Sequence, residues 1–192
     1  MAGESYLVVG LGNIGPEYAG TRHNMGFMVL DAFANASNTC FESRRYGDVA
    51  VVSLKGRDIY LLKPSTYMNL SGNAVRYYLS KLPLTTEQLL VVCDDINLPF
   101  GTIRMRKRGS DGGHNGLKNI DETIETQDYV RIRLGVGHDF EEGRQIDYVL
   151  GNLSDEEKEQ MPQICEKVIQ GIKDWVFVGP DRAMNVLNTK KG

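Results

Sequence analysis

The chain has 192 residues, 41% of them hydrophobic and 24% charged, with a formal net charge of -3 and a pI near 5.7. That length buries a core without staples, and no run approaches a membrane span. Cys40, Cys93 and Cys165 are too few and too scattered for a disulfide framework or a zinc knuckle, and with no basic-then-apolar leader the expectation is a cytoplasmic protein.

Apolar runs bounded by turn residues predict strands at Tyr6 to Val9, Val49 to Leu54, Asp58 to Leu62, Leu89 to Cys93, Thr102 to Met105 and Tyr129 to Val136. Helical spacing predicts helices at Met25 to Ala36, Leu70 to Leu82, Asn115 to Glu125 and Asp155 to Val176, the last capped by Ser154 with acids in its first turn. Strands alternating with helices imply an α/β class: one domain over residues 1–192, with a mixed, mostly parallel sheet flanked by helices. Lys55-Gly56-Arg57 between two strand runs reads as the turn of an antiparallel hairpin, and Lys190, Lys191 and Gly192 as a loose tail.

The first strand runs into Gly10-Leu11-Gly12-Asn13-Ile14-Gly15, a G-x-G-x-x-G pattern. A dinucleotide site needs its third glycine inside a helix and an acid about 20 residues on, at the end of a second strand. Here Pro16 follows at once, no helical stripe starts before Met25, and Asp31 falls inside that helical run. The glycines therefore open a long loop.

Ligands of open α/β sheets gather beyond the carboxyl ends of the strands, which directs attention to the loops there. His23 lies in a polar loop and can titrate near neutrality, or it is a surface histidine bonded to a carbonyl. Asp94 ends an apolar strand, where a carboxylate can fix one imidazole tautomer and leave the other nitrogen free as a base. Asp94 and Asp95 also admit two other readings, a solvated turn or a magnesium site shared with Asn97. No G-x-S-x-G is present and Cys93 sits in an apolar strand, so water is the expected nucleophile. Asn13 and Asn69 offer amides to orient water or hold a developing oxyanion, with turn chemistry as the plain alternative.

From Ile103 to Lys118 five basic residues (Arg104, Arg106, Lys107, Arg108, Lys118) face one acid, Asp111. Arg104 and Arg106 alternate on a strand and share a face, with Arg133 on a later strand able to join them. The adjoining "GGHNG" is either a phosphate cradle at a helix start or a flexible turn capped by Asn115.

Taken together, "GLGNIGPEYAGTRHNMGF", "KPSTYMNLSG", "DDINLPFGTIRMR", "GGHNGLKNI", "RIRLGVGH" and "DRAMNVLN" resemble bacterial-type peptidyl-tRNA hydrolase over nearly the entire chain. The resemblance implies a phosphorylase/hydrolase-like three-layer sandwich and hydrolysis of the ester joining a peptide to the terminal ribose of tRNA. It implies a general-base role for His23, orientation of that base by Asp94, and places for Asn13 and Asn69 at the reacting centre. Tyr18, Tyr67 and Met68 would line the channel and Asn115 would hold substrate, while His114, Arg104, Arg106 and Arg133 would contact the tRNA. No cofactor, metal, membrane or obligate protein partner is implied, and a monomer is expected. Ile14 stands where the family usually has proline, and "GSDGG" replaces a small-residue run, which puts rate or affinity in question. Plant-organelle proteins of the same fold that act as RNA-splicing cofactors are the rival reading. The presence of both His23 and Asp94 favours the enzyme.

Overall fold

The protein is described by a computed structural model over residues 4–188. Seven strands form one sheet: β1 (Ser5–Gly10), β2 (Glu42–Arg44), β3 (Gly47–Leu54), β4 (Arg57–Pro64), β5 (Leu89–Asp95), β6 (Ile103–Arg106) and β7 (Val130–Gly135), in the order β2-β3-β4-β1-β5-β7-β6. The central strands β4, β1, β5 and β7 are parallel, and antiparallel pairs close both edges. The hairpin expected around Gly56 is present: Leu54 pairs with Arg57, and Lys55 and Gly56 both take positive φ, as a two-residue turn matched to strand twist requires.

Strand alternation divides the core in two. Leu7, Val9, Val91 and Cys93 pack under α2 (Ser71–Lys81) and α3 (Asn115–Ile124) through Ala74, Val75, Leu117 and Ile120. Val8, Leu90 and Val92 face α1 (Met25–Ala36), α5 (Asp155–Val178) and α6 (Pro180–Leu187) through Phe33, Val168, Ile172 and Ala183. The expected three layers result, each fully buried aliphatic contributing roughly 1.5–3 kcal/mol.

Three elements lack a sequence signal. β2 is wholly exposed and polar, with no apolar alternation to read. The short α4 (Gln145–Val149) buries no residue, so it has no stripe. The final helical run is broken where Gly179 takes φ 93 and Pro180 starts α6. The expected tail at residues 190–192 lies outside the described residues.

Contact between main chains sets the level of α1 against the sheet. A Cβ on Gly10 would lie 2.4 Å from the carbonyl oxygen of Gly26, and one on Gly26 would lie 2.6 Å from both Leu11 N and Val92 O. Both are closer than real Cβ contacts allow, so α1 rests its first turn directly on the backbone at the ends of β1 and β5.

Candidate active site

The carboxyl ends of β1 and β5, the turn before α1 and the start of α3 surround a cleft of about 500 Å³. Asn13, His23, Tyr67, Met68, Asn69, Asp94, His114, Asn115 and Arg133 all line it. Nine of the residues that the family resemblance singles out thus come together, with Asp95 beside them. Tyr18 is not among the lining residues; on the turn Pro16–Tyr18 its carbonyl accepts from Thr21 Oγ1 at 2.8 Å. Met68 is buried in the floor and Tyr67 is 78% exposed at the mouth.

Asp94 is buried and shared by two imidazoles. Its Oδ1 and Oδ2 each lie 2.9 Å from His23 Nδ1, and Oδ1 also lies 2.9 Å from His114 Nε2. The tautomers follow from the remaining partners. His114 Nδ1 caps α3, accepting from the backbone N–H of Gly116 at 3.1 Å and of Leu117 at 3.3 Å. An accepting nitrogen carries no proton, so the proton sits on Nε2 and is donated to Asp94. Protonating Nδ1 would break both caps and place a cation at the positive end of a helix, so its lone pair is committed to α3. On His23, Nδ1–H donates to Asp94 and Nε2 keeps its lone pair.

Burial pulls the His23 pKa down, but the charge and hydrogen bonds of Asp94 outweigh it and the net shift is upward from 6.5. Burial would raise Asp94, yet the two imidazoles hold it well below the usual carboxylate range. Burial pushes the Cys93 thiol upward and its side chain packs under α2 and α3, so it is unsuited to nucleophilic attack.

His23 Nδ1, Asp94 and His114 Nε2 offer three ligand atoms within 4.8 Å of one another, the count a metal site would use. The tautomers oppose it: the His114 lone pair is spent on α3, and both facing nitrogens carry protons toward the carboxylate. The magnesium alternative fits no better. Asp94 is engaged by the histidines, while Asp95 accepts from Asn97 N at 2.7 Å and lies 3.7 Å from the Arg133 guanidinium.

A residue passed over in the sequence, Asn24, fixes the asparagine loop. Its Oδ1 accepts from Asn13 N at 2.8 Å and its Nδ2 donates to Asn13 O at 2.9 Å. Asn24 stands at the N-cap position of α1 but makes no side-chain cap, because its amide is committed to Asn13. Asn13 Oδ1 in turn accepts from Met68 N at 3.2 Å, which leaves its Nδ2 to donate into the cleft. The cap of α3 is likewise His114 rather than Asn115, which is exposed.

The arginines divide by burial. In the β6–β7 ladder Arg104 lies opposite Arg133 and Arg106 opposite Arg131, so four guanidiniums share one face. Arg131 is fully buried, donating to Gly109 O at 3.1 Å and Tyr129 O at 3.2 Å. Arg133 bonds the carbonyl of Ser110. These two hold the loop 109–113. Arg104 and Arg106 bond only carbonyls of their own strand and pair with no carboxylate among the described residues. Among the described residues His114 makes a buried bond to Asp94 and Arg133 stands in the cleft wall, whereas Arg104 and Arg106 lie on the β6–β7 edge without a carboxylate partner.

Residues 7–192 match the sequence profile of the family described as Peptidyl-tRNA hydrolase. The chain belongs to the peptidyl-tRNA hydrolase family. It is 55% identical over 185 residues to the peptidyl-tRNA hydrolase of Phocaeicola vulgatus, covering 96% of this chain and 99% of that one. Identity to the Cytophaga hutchinsonii enzyme is 50% over 186 residues, with 97% and 99% covered. The crystal structure of peptidyl-tRNA hydrolase from Acinetobacter baumannii superposes with a TM-score of 0.91 at 33% identity, covering 100% of this chain and 97% of that one. An Arabidopsis thaliana 5'-methylthioadenosine nucleosidase, at 5% identity and a TM-score of 0.50, shares the fold alone. The protein is thus a peptidyl-tRNA hydrolase in fold and family, and its reaction is hydrolysis of peptidyl-tRNA. No helix among the described residues is long and apolar enough to cross a membrane.

Proposed function

We propose that hydrolysis proceeds by general-base activation of water at His23, with no covalent enzyme intermediate. The observation that carries this reading is the single carboxylate that accepts from both imidazoles and leaves His23 Nε2 bare. Nε2 takes a proton from water as its oxygen attacks the ester carbonyl, and returns the proton to the ribose oxygen as the C–O bond breaks. Asp94 stabilises the imidazolium in between, and His114, anchored on α3 through Nδ1, keeps Asp94 in place through Nε2.

The free Asn13 Nδ2 is placed to donate to the substrate carbonyl as it becomes an oxyanion, and Asn69 and Asn115 supply neutral amides around the adjoining peptide. Uncharged amides leave the ammonium of a free aminoacyl-tRNA poorly solvated, whereas the amide of a blocked one is matched, so unblocked aminoacyl-tRNA is spared. Arg104 and Arg106 hold tRNA phosphates by charge and shape, without reading sequence. The enzyme works as one monomeric domain in the cytoplasm, where aborted translation leaves its substrate.

The deciding experiment is release of N-acetyl amino acid from N-acetyl-aminoacyl-tRNA by wild type and His23→Ala, with unblocked aminoacyl-tRNA as control. Cleavage of the blocked ester alone, lost in a variant that still binds tRNA, is the expected result. Undiminished cleavage by His23→Ala would remove the base from this role.

A further inference from the structure

Arg22, next to the base in the chain, sends its side chain away from the cleft into a contact that takes no part in moving protons or holding the ester. Its guanidinium stacks 4.3 Å from the ring centroid of Tyr148 in α4. One terminal nitrogen donates to Tyr148 O at 3.3 Å and the other to Glu157 Oε1 of α5 at 3.1 Å. Beneath the side chain the backbone repeats the connection: Arg22 N donates to Gly151 O at 3.0 Å, and Leu153 N to Gly20 O at 3.0 Å.

The partners are themselves fixed. Glu157 Oε1 also accepts from Ser154 N at 2.9 Å, closing the capping box that starts α5. Tyr148 donates from its hydroxyl to Val136 O at 2.6 Å, just beyond β7. Between these anchors α4 has five residues and buries none of them, too short to persist by its own hydrogen bonds. Yet Gln145, Ile146, Val149 and the adjacent Leu150 form one wall of the cleft.

We propose that Arg22 is a positioning residue whose guanidinium ties the α4 wall to the turn carrying His23, so that wall and base keep one relative position. The inference rests on this cleft being the hydrolytic site. The charge itself is not what matters to the base, because the influences on His23 are burial and Asp94. What matters is the fork and the stack, which a lysine cannot supply together.

The test is Arg22→Met and Arg22→Lys, read by hydrogen exchange and by steady-state hydrolysis of N-acetyl-aminoacyl-tRNA across pH. In Arg22→Met, exchange should quicken at 145–150 while the centre of α5 stays protected; KM should rise about 5- to 20-fold with kcat within about 2-fold and the acid limb of the pH profile unmoved. Arg22→Lys should fall between Arg22→Met and wild type. Wild-type KM in a folded Arg22→Met, exchange that quickens uniformly, or a displaced acid limb would each overturn the proposal. Should Arg22→Met fail to fold, Tyr148→Leu removes the stack together with the hydroxyl bond to Val136 O while leaving the bond to Glu157, Tyr148→Phe removes the hydroxyl bond alone, and the same split is required in Tyr148→Leu beyond any seen in Tyr148→Phe. Failure of wild type to cleave the substrate would strike the hydrolytic reading instead, with the exchange data still deciding the tether.

Discussion

The His23–Asp94–His114 centre and the β6–β7 edge both gather charge, and they do so in opposite ways. At the centre one buried carboxylate accepts from two rings, the tautomer of His114 being fixed by its cap on α3 and that of His23 by the carboxylate itself. At the edge Arg104 and Arg106 keep guanidiniums unpaired by any carboxylate among the described residues. A charge-assisted bond away from water is worth about 1.5–3 kcal/mol, while an exposed pair contributes roughly 0–1 kcal/mol. On the proposed function the contrast separates rate from affinity: the groups assigned to the reaction are buried, and the charges assigned to the tRNA lie at the sheet edge.

That separation breaks first if the base is misassigned. His23→Ala should lower kcat by about 10²- to 10⁴-fold, with tRNA binding retained by gel shift or fluorescence. Asp94→Asn should lose roughly 10²- to 10³-fold in kcat, and it also sharpens the contrast through pH. The base works only when neutral, so activity falls as pH drops through its pKa. With Asp94 present that pKa is raised, placing the acid limb above 6.5. With the charge removed, burial alone remains and pulls the pKa down, so the limb should move to lower pH even as the plateau falls. An acid limb that stays where it was would disconnect Asp94 from the base.

Asn24→Ala tests whether the loop belongs to the centre. Loss of both bonds to the Asn13 backbone should cost about 10-fold in kcat, measured on the blocked substrate, with His23 titration unchanged. The smallest effect belongs to the edge. Arg106→Ala should raise KM a few-fold at low salt, leave kcat alone and reduce the slope of log affinity against log salt by about 1. A drop in kcat with an unchanged salt slope would erase the division between the two regions.

Much of the centre is legible in the sequence alone. Pro16 after Gly15 marks the glycine pattern as a loop, and a carboxylate at the end of an apolar strand marks Asp94 as a partner for His23. The role of His114 is not legible, because it depends on the start of α3 meeting the end of β5, which no spacing encodes. Its glycine-rich approach reads equally as a phosphate cradle. Asn24 is not legible either, because its partner is the Asn13 backbone eleven residues earlier and only the fold brings that backbone within reach. Arg133 is flanked by buried residues on its strand, and its bond to the Ser110 carbonyl depends on a loop whose path no local pattern encodes. Fold class is the easiest part, since period and turn residues are local, whereas α4 has neither and is held by contacts from elsewhere.

The seating of Gly26 on Leu11 and Val92 governs how the protein tolerates change. The turn bearing the base is levelled by main-chain atoms, which every sequence has in common, and not by the shapes of neighbouring side chains. Core residues of α1 and the sheet can therefore drift in volume and repack around a fixed fulcrum, while a single methyl group at Gly10 or Gly26 would lift the helix and carry the imidazole away from its carboxylate.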